Sequence, residues 1–364
     1  MPIKETLQAI VAQEASDIFI VAGRPLTFKV HGHLYSMDNV SDILRPGDCY
    51  ELISQIYEIA GRSEMLKDLE KIGDDDFSFT IPKVARFRVN AFKQRGSLSA
   101  VIRVISFDNL HPEKLNIPKE IIDFPLTHKK GLVLITGPAG SGKSTTLACM
   151  IDKINQEREA HIITLEDPIE YLHSHKKSIV SQREIISDTE SYLTALRASL
   201  RESPDVILLG EMRDPETISV AMTAAETGHL VLSTLHTIGA ANTIERVIDA
   251  FPPNQQHQIY IQLSMVLQMV VSQQLVETVD GKRRVPAFEI MKLNPAIRNN
   301  IREKNLQSIE NFISTGEKEG MILMNRSLAQ LVTRGVITKE AAYSCTTNPD
   351  SLARELMYAK EDAK

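Results

Sequence analysis

Apolar and polar positions follow one pattern in the first 107 residues and a different pattern in the rest of the chain. Helical spacing of apolar side chains marks 3–14 and 48–71. Short apolar or alternating runs predict strands at 18–21, 26–30, 84–92 and 99–105. Because these strands and helices are interspersed, we predict a small α+β domain at 1–107.

A stretch that contains several prolines follows this domain. Pro112, Pro118 and Pro125 lie within 107–127, and each proline fixes its own φ and removes a backbone donor. Such a stretch is typical of a stiff connection between domains. We predict a linker at 108–127 that contains one short helix.

Strands and helices alternate regularly from residue 128 onwards. Continuous apolar runs predict strands at 131–136, 161–165, 205–210 and 229–234. Helical patterns fall between them at 143–157, 189–202 and 214–227. Uninterrupted apolar strands are typical of a parallel sheet that is buried on both faces, and the alternation predicts an α/β core.

Strand patterns fade after about residue 290. Helical patterns replace them at 294–305, 306–315, 323–334, 338–345 and 349–359. We therefore predict that the second domain covers 128–364 and that its last part, from about residue 290, is helical.

The stretch 131–144, GLVLITGPAGSGKS, joins an apolar strand to a glycine-rich turn and the start of a helix. It matches G-x-x-x-x-G-K-[ST] in the strand–loop–helix context that phosphate binding requires. Glycines permit backbone angles that direct several N–H groups at one anion in front of a helix N-terminus. We predict a nucleotide-binding loop formed by Gly137, Pro138, Ala139, Gly140, Ser141, Gly142, Lys143, Ser144 and Thr145.

Two residues of this loop have distinct predicted roles. Lys143 can reach the β- and γ-phosphates, and the Ser144 hydroxyl suits a Mg²⁺ ion. The alternative is a flexible Gly/Ser loop without a ligand, and the strand and helix on either side argue against it.

Acidic residues follow two of the predicted strands, at the sheet edge where ligands bind in such folds. Glu166 follows the run HIITL, and Glu211 follows DVILLG. An acid after an apolar strand is a Walker B pattern, and Glu211 must carry the acid role because Gly210 stands where many P-loop enzymes have aspartate. A solvated acidic turn is the alternative at Glu166.

The helix that follows Glu211 offers another explanation for the acids in this segment. Asp214 and Glu216 lie where a helix is predicted to begin, and carboxylates there interact favourably with the helix dipole and can cap the helix. The Walker B role and the capping role can hold for different residues.

Two histidines flank the last predicted strand of the core. His229 precedes the run LVLSTL and His236 follows it, which separates them by about 20 Å of strand and excludes a shared metal ion. His236, at the carboxyl end, is placed to sense the γ-phosphate. His229, at the start of the strand, is better suited to anchoring a loop.

Arginines are frequent on the strands of the first domain. Arg86 and Arg88 share one face of a predicted strand, and Arg95 and Arg103 lie nearby in sequence. A solvated strand face is the simple interpretation. Beside a nucleotide-binding domain, such arginines can instead neutralise phosphate charge.

Charge and composition exclude several classes of function. With 41 basic and 47 acidic residues the net charge is −6, which argues against general nucleic-acid binding, as does the absence of tryptophan. Three cysteines are too few for a Cys₄ zinc site. No apolar run approaches the roughly 18–20 residues that span a bilayer, so we expect no direct membrane insertion.

Several segments together resemble the secretion ATPase superfamily, and most closely the type IV pilus retraction ATPases (PilT-like). ITLEDPIEY at 163–171 resembles the Asp box of that family, and LRESPDVILLGEMR at 200–213 resembles its Walker B segment. AAETGHLVLSTLHT at 224–237 resembles its His box. SDIFIVAG at 16–23, RFRVNAF at 86–92 and PAIRNNIRE at 295–303 extend the resemblance over nearly the whole chain.

The resemblance implies a hexameric ring of two-domain subunits with a PAS-like N-terminal domain and a RecA-like ATPase domain. ATP is then expected between the domains, with Mg²⁺ bound by Ser144 and, through water, by Glu211. Glu166 matches the catalytic acid of the Asp box, and His229 and His236 match the His-box histidines. Arg88 and Arg103 match arginines that reach the nucleotide in related ATPases.

The resemblance also implies a function in type IV pilus retraction and twitching motility. PAIRNNIRE resembles a segment tied to retraction, and this sequence lacks the extra N-terminal domain and tetracysteine segment that assembly and secretion ATPases commonly carry. The family often has glycine after this motif, where Lys304-Asn305 stands here. Because asparagine tolerates the left-handed conformation, we expect Asn305 to end the helix.

The expected partners follow from the same resemblance. They are other copies of the chain, a pilus platform protein of the inner membrane and paralogous pilus ATPases, which places the protein in the cytoplasm at the inner face of the membrane. The alternatives are a pilus assembly motor, a type II/IV secretion ATPase and a nucleotide-sensing scaffold that does not hydrolyse ATP. A RecA-type helicase is a further alternative, which the negative charge disfavours.

Overall fold

The computed structural model describes residues 2–30, 32–37, 43–106 and 110–361, and these residues form two compact units. The first unit comprises Met1–Asn109 and Glu170–His173, and the second comprises Leu110–Ile169 and Ser174–Lys364. The predicted boundary between 107 and 108 lies outside the described residues. Within the described ranges, no helix is both long and apolar enough to cross a bilayer.

The first unit is an antiparallel sheet covered by helices on one face. Its elements are α1 (Ile3–Val11), β1 (Asp17–Ile20), β2 (Thr27–Val30), β3 (His33–Ser36), α2 (Pro46–Ile59), α3 (Leu66–Ile72), β4 (Asp74–Ile81), β5 (Ala85–Gln94) and β6 (Ser97–Ser106). The strand order is β3-β2-β1-β6-β5-β4. Ile53 and Tyr57 of α2 share a buried core with Phe87 and Val89 of β5.

Three elements of this unit differ from the sequence prediction. The single helix expected at 48–71 is two helices, because Gly61 adopts a left-handed φ of 67° after α2. The strand β3 was not predicted, since all four of its residues are exposed and leave no apolar pattern. The strand β4 was also missed because its sequence begins with three acidic residues, although Phe77, Phe79 and Ile81 alternate into the core.

The second unit is an α/β domain. Its elements up to the last strand are α4 (Lys119–Ile122), α5 (Phe124–Thr127), β7 (Gly131–Thr136), α6 (Lys143–Glu157), β8 (His161–Glu166), β9 (Ile179–Glu184), α7 (Tyr192–Ser199), β10 (Val206–Leu209), α8 (Pro215–Glu226), β11 (Leu230–Leu235), α9 (Ala240–Asp249), α10 (Pro253–Val266), β12 (Leu267–Glu277) and β13 (Arg284–Lys292). Five helices follow: α11 (Pro295–Arg302), α12 (Ile309–Thr315), α13 (Met324–Thr333), α14 (Lys339–Cys345) and α15 (Pro349–Glu361).

Seven strands form the sheet of this unit in the order β13-β12-β7-β11-β10-β8-β9. Every neighbouring pair is parallel except β12 and β13. The strand β7 is buried along its whole length, with Leu132 and Leu134 in the core on one face and Val133 and Ile135 in the core on the other. Burial on both faces explains why the parallel strands are continuous apolar runs.

The stretch predicted as a linker packs within the second unit. Ile117, Ile121 and Phe124 are buried in the same core as Val133 and Ile135 of β7. Two helices of four residues, α4 and α5, stand where one short helix was expected. Apolar residues between the prolines therefore anchor this segment to the sheet.

The segment between β11 and α11 was not predicted and contains two helices and two strands. The strand β12 escaped prediction because Gln268, Ser272, Gln273 and Gln274 interrupt its apolar run. The strand β9 was missed for a similar reason, since its sequence IVSQRE forms one edge of the sheet and keeps several polar residues partly exposed.

The C-terminal helices form a separate core against the end of the sheet. Leu328, Ala342 and Leu352 of these helices pack with Val276 of β12 and Ala287 of β13. The buried Glu289 carboxylate of β13 accepts hydrogen bonds from the first backbone N–H groups of α9 (2.7 Å) and α13 (3.3 Å). Burial raises the pKa of Glu289, and the two N–H groups oppose that shift.

The end of α11 differs from the expectation in one residue. Lys304, and not Asn305, adopts the left-handed conformation, with φ values of 63° and −95° respectively. The Lys304 ammonium lies 5.5 Å from the centre of the Tyr260 ring on α10. This cation–π contact offsets part of the cost of the left-handed backbone.

Candidate nucleotide-binding site

The carboxyl ends of four central strands lie at one edge of the second unit's sheet, because β7, β11, β10 and β8 run parallel. Thr136 of β7 pairs with Leu235 of β11, and Leu209 of β10 pairs with Leu165 of β8. The glycine-rich loop leaves β7 at this edge, and the predicted acids follow β8 and β10. The topology therefore brings the loop, Glu166 and Glu211 to the same side of the sheet.

The backbone of the loop requires glycine at two positions that pack against β12. Gly137 has φ of 141°, and a Cβ there would overlap the carbonyl oxygen of Gln273. Gly142 is left-handed with φ of 88°, and a Cβ there would lie 2.8 Å from the Gln273 Nε2 atom. The loop thus turns sharply against β12 before α6 begins.

The first turn of α6 directs positive charge and N–H groups towards the loop. Lys143 is only 8% exposed, and its ammonium donates hydrogen bonds of 2.9 Å to the carbonyl oxygens of Gly137 and Pro138. Ser144 and Thr145 are half-buried, whereas Pro138–Gly140 are exposed. The N–H groups in the first turn of a helix favour an anion, so this loop can hold a phosphate chain.

The Glu166 side chain is fixed at the end of β8 by donors from two strands. Its Oε1 atom accepts hydrogen bonds from the Thr164 hydroxyl at 2.7 Å and the Gln182 amide at 3.3 Å. The following Asp167–Pro168 peptide is cis. A half-buried carboxylate held in this way at the sheet edge can accept a proton from a water molecule.

Glu211 is the centre of a charged cluster beyond β10 and β11. One carboxylate oxygen lies 2.5 Å from the Arg213 guanidinium, and the other lies 3.7 Å from Nε2 of His236. The hydrogen bond to Glu211 raises the pKa of Arg213. The structure therefore brings together Glu211 and His236, and it adds Arg213, for which the sequence predicted no role.

Tyr192, at the start of α7, places its hydroxyl against Gly210 and was missed by the sequence reasoning. A Cβ at Gly210 would lie 2.8 Å from the Tyr192 hydroxyl and 3.3 Å from the Leu165 carbonyl oxygen. Burial raises the pKa of Tyr192, and the carboxylates of Glu211, Asp167 and Glu166 raise it further. The phenol therefore stays protonated beside the carboxylates, and position 210 has no room for a side chain.

This crowding predicts that Gly210→Ala is destabilising and that Tyr192→Phe compensates for it. The new methyl group should lower the free energy of unfolding by about 1–3 kcal/mol, because it overpacks the contact with the Tyr192 hydroxyl. Thermal unfolding of the two single variants and the double variant measures the effect, with Tyr192→Phe alone as the control. A double variant no more stable than Gly210→Ala would contradict the packing described here.

The remaining residues of the His box and Walker B segment have structural contacts. His229 lies at the opposite end of β11 from His236, and its Nδ1 atom is 2.9 Å from the carbonyl oxygen of Ala224. Asp214 caps α8 by accepting a hydrogen bond of 2.8 Å from the backbone N–H of Thr217. The capping role predicted for Asp214 is therefore confirmed.

The two predicted nucleotide-contacting arginines lie side by side on the sheet of the first unit. Arg88 of β5 and Arg103 of β6 are register partners, and the Arg103 Nε atom lies 3.6 Å from a carboxylate oxygen of Asp17. Both line a cavity of about 240 Å³ together with Asp17, Asp76, Asn90 and Val101. Their contact with a nucleotide remains a prediction.

The residues at the sheet edge suit a magnesium nucleotide. Mg²⁺ prefers oxygen ligands, and Ser144 supplies a hydroxyl while Glu211 supplies a carboxylate at this edge. The loop supplies N–H groups and an ammonium for phosphate oxygens. The donor set therefore fits both parts of the ligand.

Comparison with known proteins places the chain among pilus and secretion proteins. The family model described as type II/IV secretion system protein matches residues 1–341. A "Twitching motility protein" of Neisseria gonorrhoeae is 50% identical over 281 residues, which cover 76% of this chain and 74% of the relative. The "Type IV pilus retractation ATPase PilT" of Pseudomonas aeruginosa is 45% identical over 354 residues, covering 96% and 100%.

A solved structure has the same fold as this chain over almost the entire length of both proteins. The crystal structure of "the Pilus Retraction Motor PilT and Bound ADP" is 43% identical, with a TM-score of 0.86, and covers 97% of this chain and 99% of its own. This match confirms the predicted α/β fold class, with a RecA-like P-loop core, a smaller N-terminal α+β domain and a helical C-terminal part.

Proposed function

The chain belongs to the type II/IV secretion system protein family, and on that premise we propose that it is an ATPase motor of type IV pilus retraction. The observation that carries the proposal is that the glycine-rich loop with Lys143 and the carboxylates of Glu166 and Glu211 follow strand ends at the same edge of the sheet. Two findings support the proposal. The chain is 45% identical to a retraction ATPase over the full length of that relative, and a solved relative contains ADP.

In the proposed reaction, the loop and the acids have separate tasks. The loop N–H groups and the Lys143 ammonium bind the β- and γ-phosphates of ATP. Ser144 and Glu211 would hold Mg²⁺, which would neutralise charge that develops on the phosphates. Glu166 orients the attacking water and accepts its proton. His236, next to Glu211, senses the γ-phosphate.

Force requires that hydrolysis changes the arrangement of the two domains. We propose that the PAS-like domain at 1–107 supplies Arg88 and Arg103 to the nucleotide bound by the ATPase domain. Closure around ATP and loosening after hydrolysis then produce a movement. In a homo-hexamer such movements act on a platform protein at the cytoplasmic face of the inner membrane. Paralogous pilus ATPases are further proposed partners.

A gene deletion distinguishes a retraction motor from an assembly or secretion motor. We expect the deletion strain to keep its surface pili and to lose twitching, because pilus retraction stops while assembly continues. Complementation with the wild-type gene should restore twitching, and complementation with Lys143→Ala should not. A deletion strain without pili would contradict the retraction function and favour assembly.

A further inference from the structure

We propose that Gln273, which lies about 130 residues after the glycine-rich loop, is a positioning residue that holds this loop in its phosphate-binding shape. The inference rests on the proposed function, because it assigns a role in binding the same nucleotide. Gln273 belongs to β12 and lies outside all the sequence segments that resemble the family.

The side chain of Gln273 connects β12 to the helix that begins at Lys143. Its Oε1 atom accepts a hydrogen bond of 2.7 Å from the hydroxyl of Thr146, and both residues are buried. Gln273 is 3% exposed and Thr146 is fully buried, so water does not replace this bond. A bond between two buried polar groups is costly to lose, since each partner is then left unsatisfied.

The same residue shapes the loop at both ends. The Gln273 carbonyl oxygen fills the space that a side chain at Gly137 would need, and its Nε2 atom does the same at Gly142. Gly140, the third loop glycine, has no atom within 4 Å of the corresponding position. The contact at Gly137 is made by the backbone of position 273, whereas the contact at Gly142 is made by the side chain and therefore depends on glutamine.

The sheet register explains why Gln273 reaches the loop. Ser272 of β12 pairs with Thr136, the last residue of β7, so Gln273 lies beside the point at which the loop leaves the sheet. A side chain anchored there fixes the loop before nucleotide arrives. Pre-organisation of this kind strengthens binding, because the loop loses less conformational freedom when the ligand binds.

The next residue provides a matched control. Gln274 is the same residue type on the same strand and is also buried, but its amide donates a hydrogen bond of 3.0 Å to the carbonyl oxygen of Cys345 in α14. Successive strand residues point to opposite faces. Loss of the Gln274 bond should therefore affect the C-terminal helices and not the loop.

The test measures binding of a fluorescent ATP analogue with Mg²⁺ to the full chain. Gln273→Met keeps the length of the side chain and removes the bond, and Thr146→Val removes the same bond from the other partner. Each change should raise Kd by about three- to tenfold. The double variant should bind the analogue no more weakly than the single variant with the higher Kd, because both changes remove the same bond. Thr146→Ser and Gln274→Met should bind it within about twofold of wild type.

A second readout separates positioning from a purely structural role. Steady-state hydrolysis should show an increase in KM with kcat changed by less than about twofold, because the loop holds phosphates equally in the ground state and the transition state. A lower melting temperature with an unchanged Kd in Gln273→Met would overturn the inference. Should Gln273→Met fail to fold, Thr146→Val and Thr146→Ser decide the question by the same criterion.

Failure of the inference is distinguishable from failure of the proposed function. Wild-type protein that binds the analogue, together with variants of unchanged Kd, overturns only the role of Gln273. Wild-type protein that does not bind the analogue contradicts nucleotide binding itself, and the role of Gln273 is overturned with it.

Discussion

Replacing Lys143 with alanine is expected to lower phosphate release by at least about a hundredfold, because a preorganised charge that stabilises the transferring phosphoryl group is lost. The Lys143 ammonium is buried and held by the carbonyl oxygens of Gly137 and Pro138, so it lies within the loop that we propose binds phosphate. Binding of a fluorescent ATP analogue should also weaken, since charge-assisted hydrogen bonds to the phosphates disappear.

Lys153 provides the control for this variant, because it lies near the other end of the same helix. Its ammonium is 3.8 Å from a carboxylate oxygen of Asp123 and 3.6 Å from one of Glu157. Surface ion pairs of this kind contribute little, so Lys153→Ala should keep the wild-type rate. Equal rates for Lys143→Ala and wild type would refute the assignment of the phosphate site.

Replacing Glu166 with glutamine is expected to lower kcat by about 10²–10⁴-fold while ATP still binds, because the general base is lost. The amide oxygen of glutamine can accept the hydrogen bonds that Thr164 and Gln182 donate to the carboxylate. The fold and the position of the side chain should therefore be kept, and the variant isolates the chemical step. Single-turnover hydrolysis and analogue binding measure the two quantities separately.

The exposed Glu190 serves as the control for a change of charge alone. Glu190→Gln should hydrolyse ATP at the wild-type rate, because this carboxylate is solvated and lies in the loop ahead of α7. A Glu166→Gln variant with normal turnover would remove Glu166 from the mechanism and leave Glu211 as the acid of the site.

The central strands and the loop were predictable because local patterns determine them. The predicted helix at 143–157 is confirmed at both ends, since the glycine loop fixes its start. The predicted strand at 131–136 is also confirmed at both ends. A continuous apolar run of this length is typical of a strand in a parallel sheet that is covered on both faces.

The contacts around the site were less predictable, because they join residues that are distant in sequence. Gln273 is hydrogen-bonded to Thr146, which lies 127 positions earlier in the sequence. The only sign of this contact in the sequence is a polar residue within an apolar strand. Tyr192 reaches Gly210 from a helix whose local pattern carries no sign of that contact. His236 and Glu211 were each placed at the correct sheet edge, whereas their proximity depends on the strand order β11-β10.

Some elements outside the site were also not predictable from the local sequence. Two strands of the first unit were missed because all residues of one are exposed and the other begins with acidic residues. At the end of α11, a tertiary contact to Tyr260 accompanies the left-handed residue, and local propensity favoured the neighbouring asparagine. The contact at the end of α11 joins residues that are distant in sequence, and the local sequence does not show it.

Release of inorganic phosphate from ATP by the purified full-length chain tests the central claim most directly. With Mg²⁺ and ATP, the wild-type protein should release phosphate continuously, and Lys143→Ala should stay near the background rate. A wild-type protein that releases none, even when it is assembled with the proposed platform protein, would contradict the proposal that this chain is an ATP-driven motor.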